Sequence, residues 1–111
     1  MKQLSGAQLL SMHTAAAGPA ALLLDVREAW EVALASIRID GAPSLSIPMN
    51  EIPARLHELD PAQPVVCICH HGARSAQVVA FLEREGFGAA YNLAGGIDAW
   101  STQVDTRVPR Y

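Results

Sequence analysis

The chain has 111 residues, a net charge of −3, and half of its residues are hydrophobic against 17% charged. That length and composition fit a single globular domain, residues 1–111, with a core of its own, and exclude a disordered chain. Seven Arg and the single Lys2 form no basic run, so nucleic acid is not an expected partner.

The elements follow in chain order. Ser5 and Gln8 have the spacing of a capping box, flanked by Leu4 and Leu9 as a hydrophobic staple, so a helix begins there. Gly18-Pro19 ends that unit. The apolar stretch from Ala15 to Leu24, which this pair interrupts, is too short to span a bilayer and lacks the basic start of a secretory signal. A soluble, cytoplasmic protein with no membrane partner is expected. Ala21 to Val26 is a continuous apolar run closed by Asp25, as in a buried strand. Glu28 to Leu34 predicts a short helix, and Ser44 to Ile47 alternates like an edge strand or a half-buried one. Asn50 to Leu59 predicts a helix with Pro53 in its first turn. Val65 to Cys69 carries the strongest strand signal in the chain.

Ala73 to Glu85 predicts a helix whose apolar side includes Val78, Val79 and Leu82, with Gly86 at its left-handed end and Phe87 folding back onto Leu82. Ala90 to Leu93 is a last strand, and Ile97 to Trp100 one helical turn. Trp30 and Trp100 read as core or boundary residues. His13 and His57 fall on predicted helices with no signalled role. Strands alternating with helices imply an α/β fold: a mostly parallel sheet flanked by helices on both faces. Ligands of such sheets sit at the carboxyl ends of strands, where Cys69 lies.

The chemistry concentrates in Cys69-His70-His71-Gly72-Ala73-Arg74-Ser75. A buried strand delivers a cysteine, a short glycine-containing loop follows, and a helix starts at about Arg74. Backbone N–H groups of such a loop can curl around the sulfur. The positive end of the helix points at it. Arg74, with His70 and His71, adds positive potential. Each effect favours a thiolate, the nucleophilic form. The other cysteine, Cys67, lies two residues upstream inside the strand and reads as a small core residue. A pair this close makes no disulfide framework and suits a reducing compartment. Cys67, Cys69, His70 and His71 are too crowded to close a tetrahedral metal shell, so no metal and no cofactor is assigned.

The run resembles the rhodanese pattern Cys-x-x-Gly-x-Arg-Ser. Asp25-Val26-Arg27-Glu28 is similar to that family's Asp-x-Arg-Glu signature, and Gly41-Ala42 with Ser44 to Pro48 to its Gly-Ala…Ile-Pro segment. Leu93 to Trp100 resembles its Gly-Gly-x-x-x-Trp ending. One departure is local: Ser36 stands where the family often has His, and one extra residue precedes Gly41. The resemblance implies a rhodanese-like three-layer fold with a five-stranded sheet. It implies that Cys69 carries sulfur as a persulfide, that His70, His71, Gly72, Ala73 and Arg74 line the substrate pocket, and that Asp25, Arg27 and Glu28, with Ser75, support it. Arg74 would contact the donor or brace the loop, and Arg27 and Glu28 read as a structural pair. The implied partners are a small anionic donor such as thiosulfate and a thiol or cyanide acceptor, with a thioredoxin-like protein as one candidate.

Rival functions share the fold. Phosphatases of this kind place five residues between cysteine and arginine; here four, His70 through Ala73, make a smaller cradle suited to sulfur. A non-catalytic interaction module typically lacks the cysteine. A sulfur relay to a protein partner shares the loading step and differs in the acceptor.

Overall fold

The structure, a computed structural model, describes residues 1–15, 18 and 20–111. Five strands form one sheet: β1 Lys2–Leu4, β2 Leu22–Asp25, β3 Ser44–Ser46, β4 Val65–Ile68 and β5 Ala90–Leu93. Their spatial order is β1-β5-β4-β2-β3, and every pair is parallel. The helices are α1 Gly6–Ala15, α2 Ala29–Leu34, α3 Ala73–Arg84 and α4 Gly96–Gln103.

Alternation along the strands sorts the core into two layers. Leu22, Leu24, Val65 and Cys67 face α3, where they meet Val78, Val79, Leu82 and Phe87. Leu23, Val66 and Ile68 face the other way, onto Leu9 of α1 and Ile97 and Trp100 of α4. Cys69 continues the alternation of Val65 and Cys67, so both sulfurs lie on the α3 side.

Local signals set most boundaries. The Ser5–Gln8 capping box forms both of its bonds, Gln8 N–H to Ser5 Oγ at 3.1 Å and Ser5 N–H to Gln8 Oε1 at 2.8 Å. Gly86 turns left-handed after α3, and the Phe87 N–H closes onto the Leu82 carbonyl at 3.0 Å. Of the pair expected to end the first unit, Pro19 lies outside the described residues.

Three expectations are corrected. The segment 50–59 is two 3-10 pieces, Met49–Glu51 and Pro53–Glu58, with Arg55 at a non-helical φ of −113°. Each piece tightens to i→i+3 bonds that lay Ile52 and Leu59 against the α3-side core. Trp30 is 63% exposed and lies in neither core layer, whereas Trp100 is buried. The last helix runs on past one turn to Gln103, and the Ser101 hydroxyl donates to the Val108 carbonyl. β1 was not foreseen; its three residues pair in register with Tyr91, Asn92 and Leu93.

In the departure loop, the Ser36 hydroxyl donates to the Val32 carbonyl at 2.7 Å and Ile37 is buried. His13 has a role after all: its Nε2 lies 2.8 Å from the Asp40 carbonyl oxygen and ties this loop to α1.

Candidate active site

Cys69 leaves β4 at its carboxyl end and is 1% exposed. Its Sγ accepts the Gly72 N–H at 3.0 Å and lies 3.2 Å from the Ser75 hydroxyl oxygen. Gly72 opens α3 at φ +103°, where a side chain would be strained and would crowd Gly95 N. That conformation turns its N–H onto the sulfur. The other side of the loop is held by α4. Its first free donors, the N–H groups of Ile97 and Asp98, meet the carbonyls of Cys69 at 2.9 Å and His70 at 3.1 Å. A Cβ on Gly96 would run into both carbonyl oxygens, so the Gly-Gly step permits this approach.

His70 and His71 stack with centroids 3.9 Å apart, and the Tyr111 ring covers the other face of His70 at 4.0 Å. His70 is half-buried and its Nε2 has no hydrogen-bond partner among the described residues; His71 is exposed. Ala73 is exposed on the first turn of α3. Among the described residues, His70, His71 and Asp98 bring ligand atoms within 4.8 Å of one another. The two imidazoles are stacked with their planes 25° apart, and Asp98 pairs with Arg110 at 2.9 Å, so an ion there would share that carboxylate with the arginine.

Arg74 points to α2 rather than to the sulfur. Its two terminal nitrogens each donate at 2.7 Å to the carboxylate of Glu31, a fork-to-fork pair. Glu31 is 3% exposed. The Arg74 bond, helped by the Tyr111 hydroxyl and the Glu28 N–H, outweighs burial and holds the Glu31 carboxyl at about 2. The same bond raises the Arg74 pKa above its ordinary value.

Arg27 is buried, and its five side-chain N–H donors have five acceptors. Nε and Nη2 bind the Asp25 carboxylate at 2.8 and 2.6 Å; the carbonyls of Glu31 and Ala35 and the Tyr111 hydroxyl take the rest. Burial opposes the charge, but the bonds to Asp25 and Tyr111 leave the Arg27 pKa above its ordinary value. The expected Arg27–Glu28 pair is therefore corrected to Arg27–Asp25. Two residues apart at the end of β2, Asp25 lies within direct reach, while Glu28 caps α2 on the exposed side.

Three site residues were missed. Asn92 interrupts an apolar strand and donates from Nδ2 to the Gly72 carbonyl at 3.1 Å; a buried polar residue in a strand was the available signal. Glu31 reads in sequence as the solvent side of a helix. Tyr111 lies 80 residues from Glu31 in the chain, and its hydroxyl donates to that carboxylate at 2.8 Å. Cys67 is fully buried, and burial, aided by the neighbouring Cys69, pushes its thiol up to about 12.

The family profile of the Rhodanese-like domain matches residues 7–103. The chain belongs to the rhodanese-like domain family. It is 41% identical over 80 residues to a sulfurtransferase of Allochromatium vinosum, covering 72% of this chain and 71% of that one. It is 36% identical over 86 residues to the thiosulfate sulfurtransferase GlpE of Actinobacillus pleuropneumoniae serotype 3, covering 66% and 80%. The crystal structure of SSP1007 from Staphylococcus saprophyticus superposes with a TM-score of 0.79 at 30% identity, covering 99% of this chain and all of that one. Of several longer curated relatives, the chain spans only 19–30% of the length. At the level of the family these likenesses support sulfur transfer, on a five-stranded parallel sheet flanked by helices. Among the described residues no helix is long and apolar enough to cross a membrane.

Proposed function

We propose that this rhodanese-like domain is a sulfurtransferase that carries a sulfane sulfur on Cys69, in a reducing, cytoplasmic setting. The observation that carries the reading is the Cys69 sulfur at a strand end, facing the Gly72 N–H and the Ser75 hydroxyl inside a loop with four residues between Cys69 and Arg74. The thiolate attacks the outer sulfur of thiosulfate, an S–S bond forms, and the donor's S–S bond breaks to release sulfite. The charge passes to the terminal persulfide sulfur. Cyanide or a thiolate then takes that sulfur and returns Cys69 as thiolate. His70, His71, Gly72 and Ala73 line the pocket. Arg74 braces the loop through Glu31, and Asp25 and Arg27 hold the α2 side in place.

Purified protein given thiosulfate and cyanide is expected to release thiocyanate and to leave aryl phosphates intact. Phosphate release without thiocyanate would overturn the reading in favour of a phosphatase.

One observation favours a protein acceptor. Exposed Trp30 meets the Tyr111 ring edge-on, with centroids 6.3 Å apart, and Tyr111 stacks on His70, which puts apolar surface beside the loop. On that reading Trp30→Ala slows sulfur transfer to a thioredoxin-like protein and leaves transfer to cyanide unchanged. Equal rates with the protein acceptor would remove it.

A further inference from the structure

Ser75 stands among three acceptors with one proton to give. Its Oγ lies 3.2 Å from Cys69 Sγ, 3.3 Å from the Gly72 carbonyl oxygen, and within hydrogen-bond reach of Asn92 Oδ1. The far end of the Asn92 amide fixes its orientation. Nδ2 lies 3.1 Å from the Gly72 carbonyl oxygen, which only accepts, and 3.0 Å from Gln3 Oε1. Oδ1 therefore faces Ser75, and it too only accepts. Asn92 and the sulfur compete for the same proton. Strand register explains the placement: Gln3, Asn92 and Cys67 are successive partners across β1, β5 and β4, directly below the Cys69 loop.

We propose that Asn92 is a positioning residue that holds the Ser75 proton away from Cys69 while Sγ is neutral and yields it to Sγ when the sulfur is a thiolate. This rests on Cys69 as the sulfur carrier. With a thiol, the S–H donates to Ser75 Oγ and Ser75 donates to Asn92, so every group is satisfied. With a thiolate, the Ser75 O–H turns to Sγ and joins the Gly72 N–H. With a persulfide, the charge sits on the terminal sulfur, and the proton returns to Asn92. Each turn exchanges one hydrogen bond for another, and no proton leaves Ser75. The network thus supplies a second donor to sulfur only in the state that needs one.

Other charged or titratable groups lie on the elements packed around the loop. Arg74 comes from α3, Glu31 from α2 and Asp98 from α4; His70 and His71 lie on the loop. Asp25 and Arg27 follow β2, Cys67 lies below on β4, and Tyr111 covers His70. Substitutions at positions 75 and 92 leave all of these unchanged.

The test is the pH profile of Cys69 alkylation by iodoacetamide, read by peptide mass, in wild type, Ser75→Ala, Asn92→Ala and the double variant. Asn92→Ala also frees the Gly72 carbonyl, which at 3.3 Å from Ser75 Oγ competes less well for its proton than Asn92 Oδ1 does, so the two backgrounds are compared. The midpoint shift produced by Asn92→Ala is expected to lie lower with Ser75 present than in the Ser75→Ala background, by about 0.5–1 pH unit. Equal shifts would overturn the proposal. If Asn92→Ala fails to fold, the side-chain amide resonance of Asn92 serves instead. It should move over the pH range of the alkylation profile in wild type and stay still in Ser75→Ala; identical behaviour in both proteins overturns the proposal. Neither measurement needs a sulfur donor, so a failed sulfur transfer would count against the carrier reading alone.

Discussion

The middle of β4 and the loop that leaves it hold the same functional group in opposite circumstances. Cys67 and Cys69 point to the same side of the sheet, and both are cut off from solvent. Around Cys67 there are strand neighbours and apolar side chains, and desolvation keeps its thiol neutral, up to about 12. Around Cys69 the backbone has left the ladder. The Gly72 N–H and the Ser75 hydroxyl, which a strand interior would spend elsewhere, face its sulfur. Burial is alike at both cysteines; what differs is the donors within reach of the sulfur.

The largest effect that sharpens this contrast is Cys69→Ala. It should lower sulfur transfer by at least about 1,000-fold while far-UV dichroism stays native. Residual turnover near wild type would place the chemistry elsewhere.

Next comes the brace. Arg74→Ala leaves the buried Glu31 carboxylate with the Tyr111 hydroxyl and the Glu28 N–H alone. Arg74 is itself about one-third exposed, so the pair is not fully buried and the cost is moderate. Denaturant unfolding should show a loss of about 2 kcal/mol, together with slower turnover. Unchanged stability and kinetics would remove Arg74 from the site's support.

The Glu31–Arg74 pair also has a pH signature. Because the folded state holds Glu31 at about 2 against an ordinary 4.5, its stabilisation is complete above about pH 4.5 and is lost as pH falls towards 2. Glu31→Gln should therefore flatten the fall in stability between those pH values. An acid limb identical to wild type would mean that another carboxylate governs it.

The smallest effect is expected at Cys67. Cys67→Ala should keep turnover within about twofold and cost about 1 kcal/mol for the small cavity it leaves. An inactive Cys67→Ala variant that still folds would erase the distinction between the two cysteines.

Much of this arrangement was legible in the sequence, because it rests on local rules. The Ser5–Gln8 box, the apolar run into Cys69 and the Gly86 stop each depend on residues a few positions apart. The backbone donor of the loop followed from Gly72 lying between a strand and a helix, whereas the Ser75 hydroxyl at the sulfur was not foreseen. What was illegible depends on distance or on competing partners. Segment 49–58 carries the same Pro53 signal for an α-helix and for 3-10 turns, and tertiary packing of Ile52 and Leu59 chose between them. β1 is three residues long and gains its identity only from β5. Glu31 and Tyr111 look ordinary until folding brings them to Arg74 and His70, and Asn92 shows only as a polar residue in an apolar strand until folding brings it to Ser75. Arg27 had two acidic neighbours, and only the geometry at the end of β2 selects Asp25 over Glu28.

The sulfur proposed on Cys69 is covalently bound, so intact-mass measurement of the purified protein after incubation with thiosulfate detects it. The added mass of one sulfur atom is expected on wild type and on Cys67→Ala, removed by cyanide, and none on Cys69→Ala. An unchanged wild-type mass, or an added sulfur that persists in Cys69→Ala, would contradict that proposal.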